Sequence, residues 1–504
     1  MTIDASATAP TYGNYIDGEW RAAERGLTFE SRDPSNGQLI GTFQASDAAD
    51  VGAAAAAAAA AFPAWRATPA PRRGEILYRF AGLLAERKEP LARAMTSEMG
   101  KVLEEARGDV QEGIDIAYLM AGEGRRLFGD TVPSELPDKW AMSMREPLGV
   151  AGIITPWNFP VAIPCWKMMP ALVSGNTVIF KPSSDTPHCA ALLVEVMLDA
   201  GFPPGVVNFV TGSGADVGMP IVECRDVAAI SFTGNGETGT AIAVAAAQNG
   251  TRLSMELGGK NGIVVLDDAD LDLATDGIVW SAFGTTGQRC TACSRVIATD
   301  AVADALVERL VARAGALTLG SGLDADVDVG PMINPAAVEK SERYVSIGVD
   351  EGATLATGGS RAVDGSLAGG NFFTPTIFDR VDPMSRLGQE EVFGPVLSII
   401  RVPDYEAAVV ALNDVRYGLS SSVFTSDTNT AFRAMRDFST GIVYINAGTI
   451  GAETHLPFGG TKGTGNGHRE AGHAALDSFT EWKAIYIDYS GRLQRAQIDN
   501  QPSE

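Results

Sequence analysis

A chain of 504 residues is too long for one small core and should divide into two or three domains. With 45% hydrophobic and 20% charged residues it has the composition of a globular protein, and its formal net charge of -23 argues against nucleic acid or an anionic membrane as partner. A local basic pocket for a small anion remains compatible with that charge. Five cysteines form no regular framework, no signal peptide precedes them, and none of the four histidines stands at zinc-ligand spacing. The expectation is a cytoplasmic protein with no metal and, since its apolar runs are small-residue and interrupted, no membrane span.

Met1–Pro10 is small and polar and is expected to fray. Asn14–Trp20 reads as two short strand pieces about an Asp-Gly turn. Ser46-Asp47 offers an N-cap for a helix over Ala48–Trp65, and amphipathic helices continue over Arg72–Met99 and Glu104–Phe128. Thr131–Pro147 then breaks into extended pieces, an excursion suited to pairing outside the main domain.

From Gly149 the pattern becomes strand, turn, helix, with apolar strands at Val150–Ile154, Thr177–Phe180, Val206–Val210 and Ala228–Phe232. This alternation predicts a parallel sheet with helices on its faces and ligands at the carboxyl ends of the strands. Ile263–Leu266 opens a second such series that runs to about Asn446. The tail, Phe479–Tyr489, alternates like a strand and is expected to pair with the 131–147 excursion of another subunit.

Chemistry concentrates at Phe283–Arg295, where Cys290 follows a Gly-Thr-Thr-Gly-Gln turn and stands beside Arg289. A thiol there is reachable, and the neighbouring cation should favour its thiolate, so Cys290 is the candidate nucleophile. A buried structural cysteine and a redox pair with Cys293 are the alternatives; no thioredoxin-like order of elements surrounds the Cys-x-x-Cys. Gly234–Gly239 matches Gly-x-Gly-x-x-Gly, follows a strand and opens a helix, whose N-terminus suits a pyrophosphate. That pattern would make Glu256 a ribose ligand. The flexible Leu257-Gly258-Gly259 after it instead suits an acid carried to a reaction centre.

Six segments in order, Thr155–Pro160, Phe232–Gly234, Glu256–Lys260, Gly287–Cys290, Glu391–Pro395 and Pro457–Gly460, resemble the signatures of the aldehyde dehydrogenase superfamily. Within it the segment from Pro457–Lys462 to Arg469-Glu470 resembles semialdehyde dehydrogenases of the succinic or 2-oxoglutaric type. The resemblance implies an α/β fold: a Rossmann-type dinucleotide-binding domain (11–130 and 148–256), an α/β catalytic domain (257–446) and a small β oligomerisation element (131–147 and 479–495) of a homodimer or homotetramer. It also implies that Cys290 attacks the aldehyde, that Asn158 and nearby amides hold the oxyanion, and that Glu256 activates the hydrolytic water. Lys181 and Glu391 would bind the cofactor's riboses, Phe393 the nicotinamide, and Trp157, Gly234 and Asn235 the pyrophosphate, with Thr155, Ser183, Ser184 and Leu257 completing the site.

Two departures from the family pattern matter. Asn235-Gly236 stands where Ser and Thr are commoner, and Ser184 stands where many NAD-preferring members carry Glu. Without that carboxylate, and with Ser183 and Lys181 adjacent, NADP is expected to serve, preferred over NAD or shared with it. Arg289 and Lys167 suggest a pocket for a carboxylate, hence an ω-semialdehyde substrate, with structural ion pairs as the alternative. A CoA-acylating enzyme is the competing activity, and a silent binding protein the competing class.

Overall fold

Two seven-stranded sheets carry the architecture, each covered by helices on both faces, in the computed structural model, which describes residues 9–499. The expected fraying of Met1–Pro10 lies almost wholly outside the described residues. In the first sheet Arg252–Glu256, Val227–Thr233, Val150–Ile154, Thr177–Lys181 and Val207–Phe209 run parallel. The antiparallel hairpin Asn14–Ile16/Glu19–Arg21 then closes one edge through Tyr15 and Phe209. Val150–Ile154 and Thr177–Lys181 are buried along their whole length, which is why they read as unbroken apolar runs rather than alternating ones.

The second sheet is ordered Thr354–Thr357, Thr376–Asp379, Val396–Val402, Cys293–Thr299, Asn261–Val265, Ser420–Phe424 and Ile442–Ile445, parallel but for its first strand. A second hairpin, Thr28–Arg32 with Leu39–Gln44, was not legible in the sequence.

Helix boundaries follow local chemistry. Asp47 and Asp50 form a reciprocal capping box at the start of Ala48–Ala67. The run predicted over Arg72–Met99 is two helices, Ala70–Glu86 and Lys88–Met99, because Arg87 leaves helical geometry at φ -100 and ψ 12. The next helix is Leu103–Glu123, shorter than the sequence suggests. Ala48–Ala67 is long and apolar enough to cross a membrane by length and composition only; in the fold it packs on the first sheet through Ala54, Ala55 and Ala58.

The tail strand Thr480–Asp488 pairs antiparallel with Lys139–Pro147, from Thr480 opposite Pro147 to Asp488 opposite Lys139, and Thr131–Pro133 adds a third strand. The pairing expected between subunits is therefore made within one chain. Nine continuous register partners satisfy the backbone of a segment that the sequence marked only as an edge. Trp482, Tyr486 and Trp140 are left exposed on this three-stranded arm.

Candidate active site

Cys290 lies where a narrow apolar pocket meets a wide crevice, and it lines both. Its loop is held from several sides. Thr285 and Thr286 adopt left-handed φ of 52 and 58, a conformation that costs a β-branched residue about 1 kcal/mol or more unless the surroundings enforce it. Glu105 supplies that enforcement: its carboxylate accepts from the Thr285 amide at 2.8 and 3.0 Å, and from Arg289 Nη2 at 3.1 Å. Arg289 Nε donates to Thr285 Oγ1 at 2.8 Å, and the guanidinium lies against the Phe159 and Trp280 rings. Asn261 Nδ2 donates to the Cys290 carbonyl at 2.7 Å and the Ala292 carbonyl at 2.9 Å. At Gly287, φ +69, an added Cβ would stand 2.3 Å from the Gly394 carbonyl oxygen, so only glycine allows the two backbones to meet.

Arg289 is thus spent on the loop. It does not lower the Cys290 thiol as the sequence suggested. Burial, reinforced by Glu256, Glu391 and Glu470, pushes that thiol up to about 12. The Thr291 amide acts in the opposite direction, favouring the thiolate. Asn158 Nδ2 donates to the Gln288 carbonyl at 3.0 Å, and a primary amide retains a second N–H to offer an oxyanion.

Glu256 ends the strand Arg252–Glu256 and is buried in the pocket wall, with Oε2 lacking any partner among the described residues. Burial and then the charge of Glu470 raise its pKa well above the usual carboxylate range, with Lys167 opposing. The Gly459-Gly460 turn closes over it: an added Cβ at Gly459, φ +149, would come within 2.5 Å of Glu256 Oε1. Behind Glu256, Glu470 pairs with the fully buried Lys167, whose Nζ also donates to Ser231 Oγ at 3.0 Å. Lys167 lies outside the pocket lining, so its predicted role as a carboxylate-binding cation is corrected to that of a buried counter-ion.

The crevice, about 740 Å³, is lined by Thr155, Trp157, Lys181, Ser183, Ser184, Gly234, Asn235, Leu257, Glu391 and Phe393. Its residues fit a dinucleotide. Asn235 caps the helix Gly236–Asn249 by accepting from the Thr238 amide at 2.8 Å, leaving the helix N-terminus facing the crevice. Thr155 Oγ1 and Thr233 Oγ1 are buried in the walls without partners among the described residues. Trp157 and Phe393 meet edge to face with centroids 5.5 Å apart, and Phe393 is itself left-handed at φ 59. Glu391 accepts from the Gly259 amide at 2.9 Å. Ser184 Oγ donates to the Gly212 carbonyl at 2.9 Å, and Ser183 Oγ to Asp185 at 3.3 Å, so neither hydroxyl proton is idle. Lys181 is buried, and desolvation lowers it to about 8.

Sequence reasoning missed Glu105, Glu112 and Glu470. Two of them carried a signal: with Asp109, residues 105 and 112 fall at i, i+4 and i+7 on the inward stripe of the helix Leu103–Glu123. Acids on the buried face of an amphipathic helix need a partner or a purpose. Glu470, in the loop region after the second sheet, had no such pattern.

A thiol and a buried acid lining one pocket, beside a dinucleotide-sized crevice at the ends of a parallel sheet, fit a nicotinamide-dependent oxidoreductase. The chain belongs to the aldehyde dehydrogenase family, whose model matches residues 20–485, and is an NAD(P)-dependent aldehyde dehydrogenase. It is 41% identical over 478 residues to the alpha-ketoglutaric semialdehyde dehydrogenase of Bacillus subtilis, covering 95% of this chain and 98% of that one. It is 38% identical over 472 residues to the NADP(+) succinate-semialdehyde dehydrogenase of Escherichia coli, covering 94% and 97%. Among solved structures, betaine aldehyde dehydrogenase from Staphylococcus aureus in complex with NAD+ superposes with a TM-score of 0.93 at 35% identity, covering 95% of each chain.

Proposed function

We propose that the protein oxidises an ω-semialdehyde to the corresponding dicarboxylate by a hydrolytic route. The observation that carries this is that Cys290 and Glu256, whose Oε2 has no partner among the described residues, line one pocket. The Cys290 thiolate, its proton given up to solvent, adds to the aldehyde carbon, and the second N–H of Asn158, with the backbone around Cys290, holds the oxyanion. A nicotinamide dinucleotide held by Trp157, Lys181, Glu391 and Phe393 in the crevice would supply the hydride acceptor. Collapse of the adduct leaves a thioester on Cys290. Glu256, as the carboxylate, then takes the proton of an attacking water and becomes the neutral acid, the form that burial and the charge of Glu470 favour.

Support for the ω-carboxylate comes from the semialdehyde relatives. The CoA-acylating alternative gains nothing from these relatives, and a buried base beside the thiol favours water. NADP serves alongside NAD, because position 184 brings no carboxylate to the crevice and Lys181 offers a cation. The exposed aromatic residues of the arm support a homo-oligomer, and the composition and cysteine usage of the chain support a cytoplasmic setting. The test is absorbance at 340 nm with a panel of aldehydes, each with and without CoA: semialdehydes should lead in kcat/KM without CoA, and plain alkanals leading would overturn the substrate assignment.

A further inference from the structure

The pocket wall contains one acid that the chemistry of Cys290 does not use. Glu112 lines the same pocket as Cys290, Arg289, Phe159 and Trp166, yet its carboxyl makes no hydrogen bond or ion pair among the described residues. Its neighbours on the same helix are already engaged: Glu105 holds the nucleophile loop, and Asp109 pairs with Lys101 at 3.0 Å and accepts from the Ala162 amide at 2.7 Å. The groups acting on the Cys290 thiol are Glu256, Glu391 and Glu470, whereas Glu112 answers to Asp109, Arg289, Lys101 and Asp115. Its strongest electrostatic partners thus lie on its own helix and at Arg289 and Lys101 rather than among the acids nearest the thiol. The indole N–H of Trp166, in the same wall, is a second donor left without a partner among the described residues.

We infer that Glu112, as a neutral carboxylic acid, donates a hydrogen bond to the distal carboxylate of the substrate and so sets the preference for ω-semialdehydes over plain alkanals. This rests on the ω-semialdehyde assignment of the same pocket. Arg289 alone is a weak anchor, because Glu105 already neutralises it. An ionised Glu112 would repel a carboxylate; a protonated one gives it a short O–H donor inside an apolar wall of Phe159, Ile163, Trp166 and Phe458. Burial, and next the charge of Asp109, push Glu112 up to about 8, with Arg289 and Lys101 opposing. Tyr444, on the strand Ile442–Ile445, is the further titratable group that feels Glu112, and its own pKa lies higher still, at about 12.

The sign follows. Below about pH 8 the acid is protonated and the carboxylate is held; above it the donor is lost and repulsion replaces it. The readout is the ratio of kcat/KM for succinic semialdehyde to that for butanal between pH 6.5 and 9.5, since titration of Cys290 and Glu256 affects both substrates and cancels. In the wild type the ratio should fall with rising pH, by roughly tenfold per unit beyond the titration of Glu112. Glu112→Gln, a permanent neutral donor, should make it flat, and Glu112→Leu should lower it about tenfold or more at pH 7. A wild-type ratio independent of pH, or a Glu112→Leu ratio equal to the wild type, would overturn the role of Glu112 while leaving the substrate class intact. Butanal outperforming the semialdehyde at every pH, or 4-aminobutanal outperforming both, would overturn the substrate class and Glu112's role together.

Discussion

Glu105 and Arg289, 184 positions apart in the chain, form one buried clamp around the turn that carries the nucleophile. Both Glu105 oxygens receive the Thr285 amide, and Arg289 closes the ring through Thr285 Oγ1. Glu105→Ala should destabilise the fold by about 3 kcal/mol, because it leaves a guanidinium and an amide without their acceptor. Glu105→Gln, which keeps one acceptor, should recover most of the stability. If the clamp positions the thiol, kcat will fall in both variants while the cofactor Kd stays near the wild-type value. A loss of cofactor affinity equal to the loss in kcat would assign Glu105 to general folding instead.

The thiol of the free enzyme should be sluggish. With Cys290 raised to about 12, its alkylation by iodoacetamide should climb roughly tenfold per pH unit from pH 7 to 10 without levelling. A plateau near pH 8 would contradict this electrostatic picture. Cys290→Ser should abolish oxidation and leave dinucleotide binding intact.

Glu256→Gln should separate the two half-reactions. Acylation continues and hydrolysis stalls, giving a burst of reduced cofactor equal to the enzyme present and then little further rate. Full steady turnover with poor cofactor affinity would return Glu256 to the ribose-binding role that the glycine pattern first suggested.

Cofactor choice should respond to position 184 and to pH. Ser184→Glu should weaken NADP far more than NAD, since a carboxylate opposes a phosphate and only hydrogen-bonds a hydroxyl. The ratio of NADP to NAD affinity in the wild type should fall as pH passes about 8, where Lys181 loses its proton, and should be highest below that value. Kd values for both cofactors at pH 6.5, 7.5 and 9 measure this; an unchanged ratio would remove Lys181 and Ser184 as determinants.

The arm should set the assembly state. Trp482→Glu combined with Tyr486→Glu places charges on two exposed positions of the tail strand, and light scattering should report a smaller particle with unchanged circular dichroism. An unchanged mass would locate the subunit contact elsewhere.

Parallel strands buried on both faces announce themselves as apolar runs, so four strands of the first sheet and Ile263–Leu266 of the second were legible, whereas the other strands of the second sheet were not read one by one. Local pattern says nothing about who pairs with whom. Thr480–Asp488 looked like an edge seeking another subunit, and only the fold shows it reaching back 341 residues to Lys139–Pro147. The same limit governed the charges: Arg289 and Lys167 read as free cations because Glu105 and Glu470, which neutralise them, are brought near only by tertiary packing.

The contact between Gly287 and the Gly394 carbonyl has a consequence for error propagation. Three residues beyond the first is the sulfur of Cys290, and one residue before the second is Phe393, with Glu391 two further back. The segment that aims the nucleophile and the segment that grips the dinucleotide therefore share a single reference point, with no side chain between them whose rotation could add slack. A thermal displacement of one is transmitted to the other in the same direction, so their separation varies less than either position does. Any residue larger than glycine at 287 would convert that common origin into a wedge and misalign both partners of the reaction in one step.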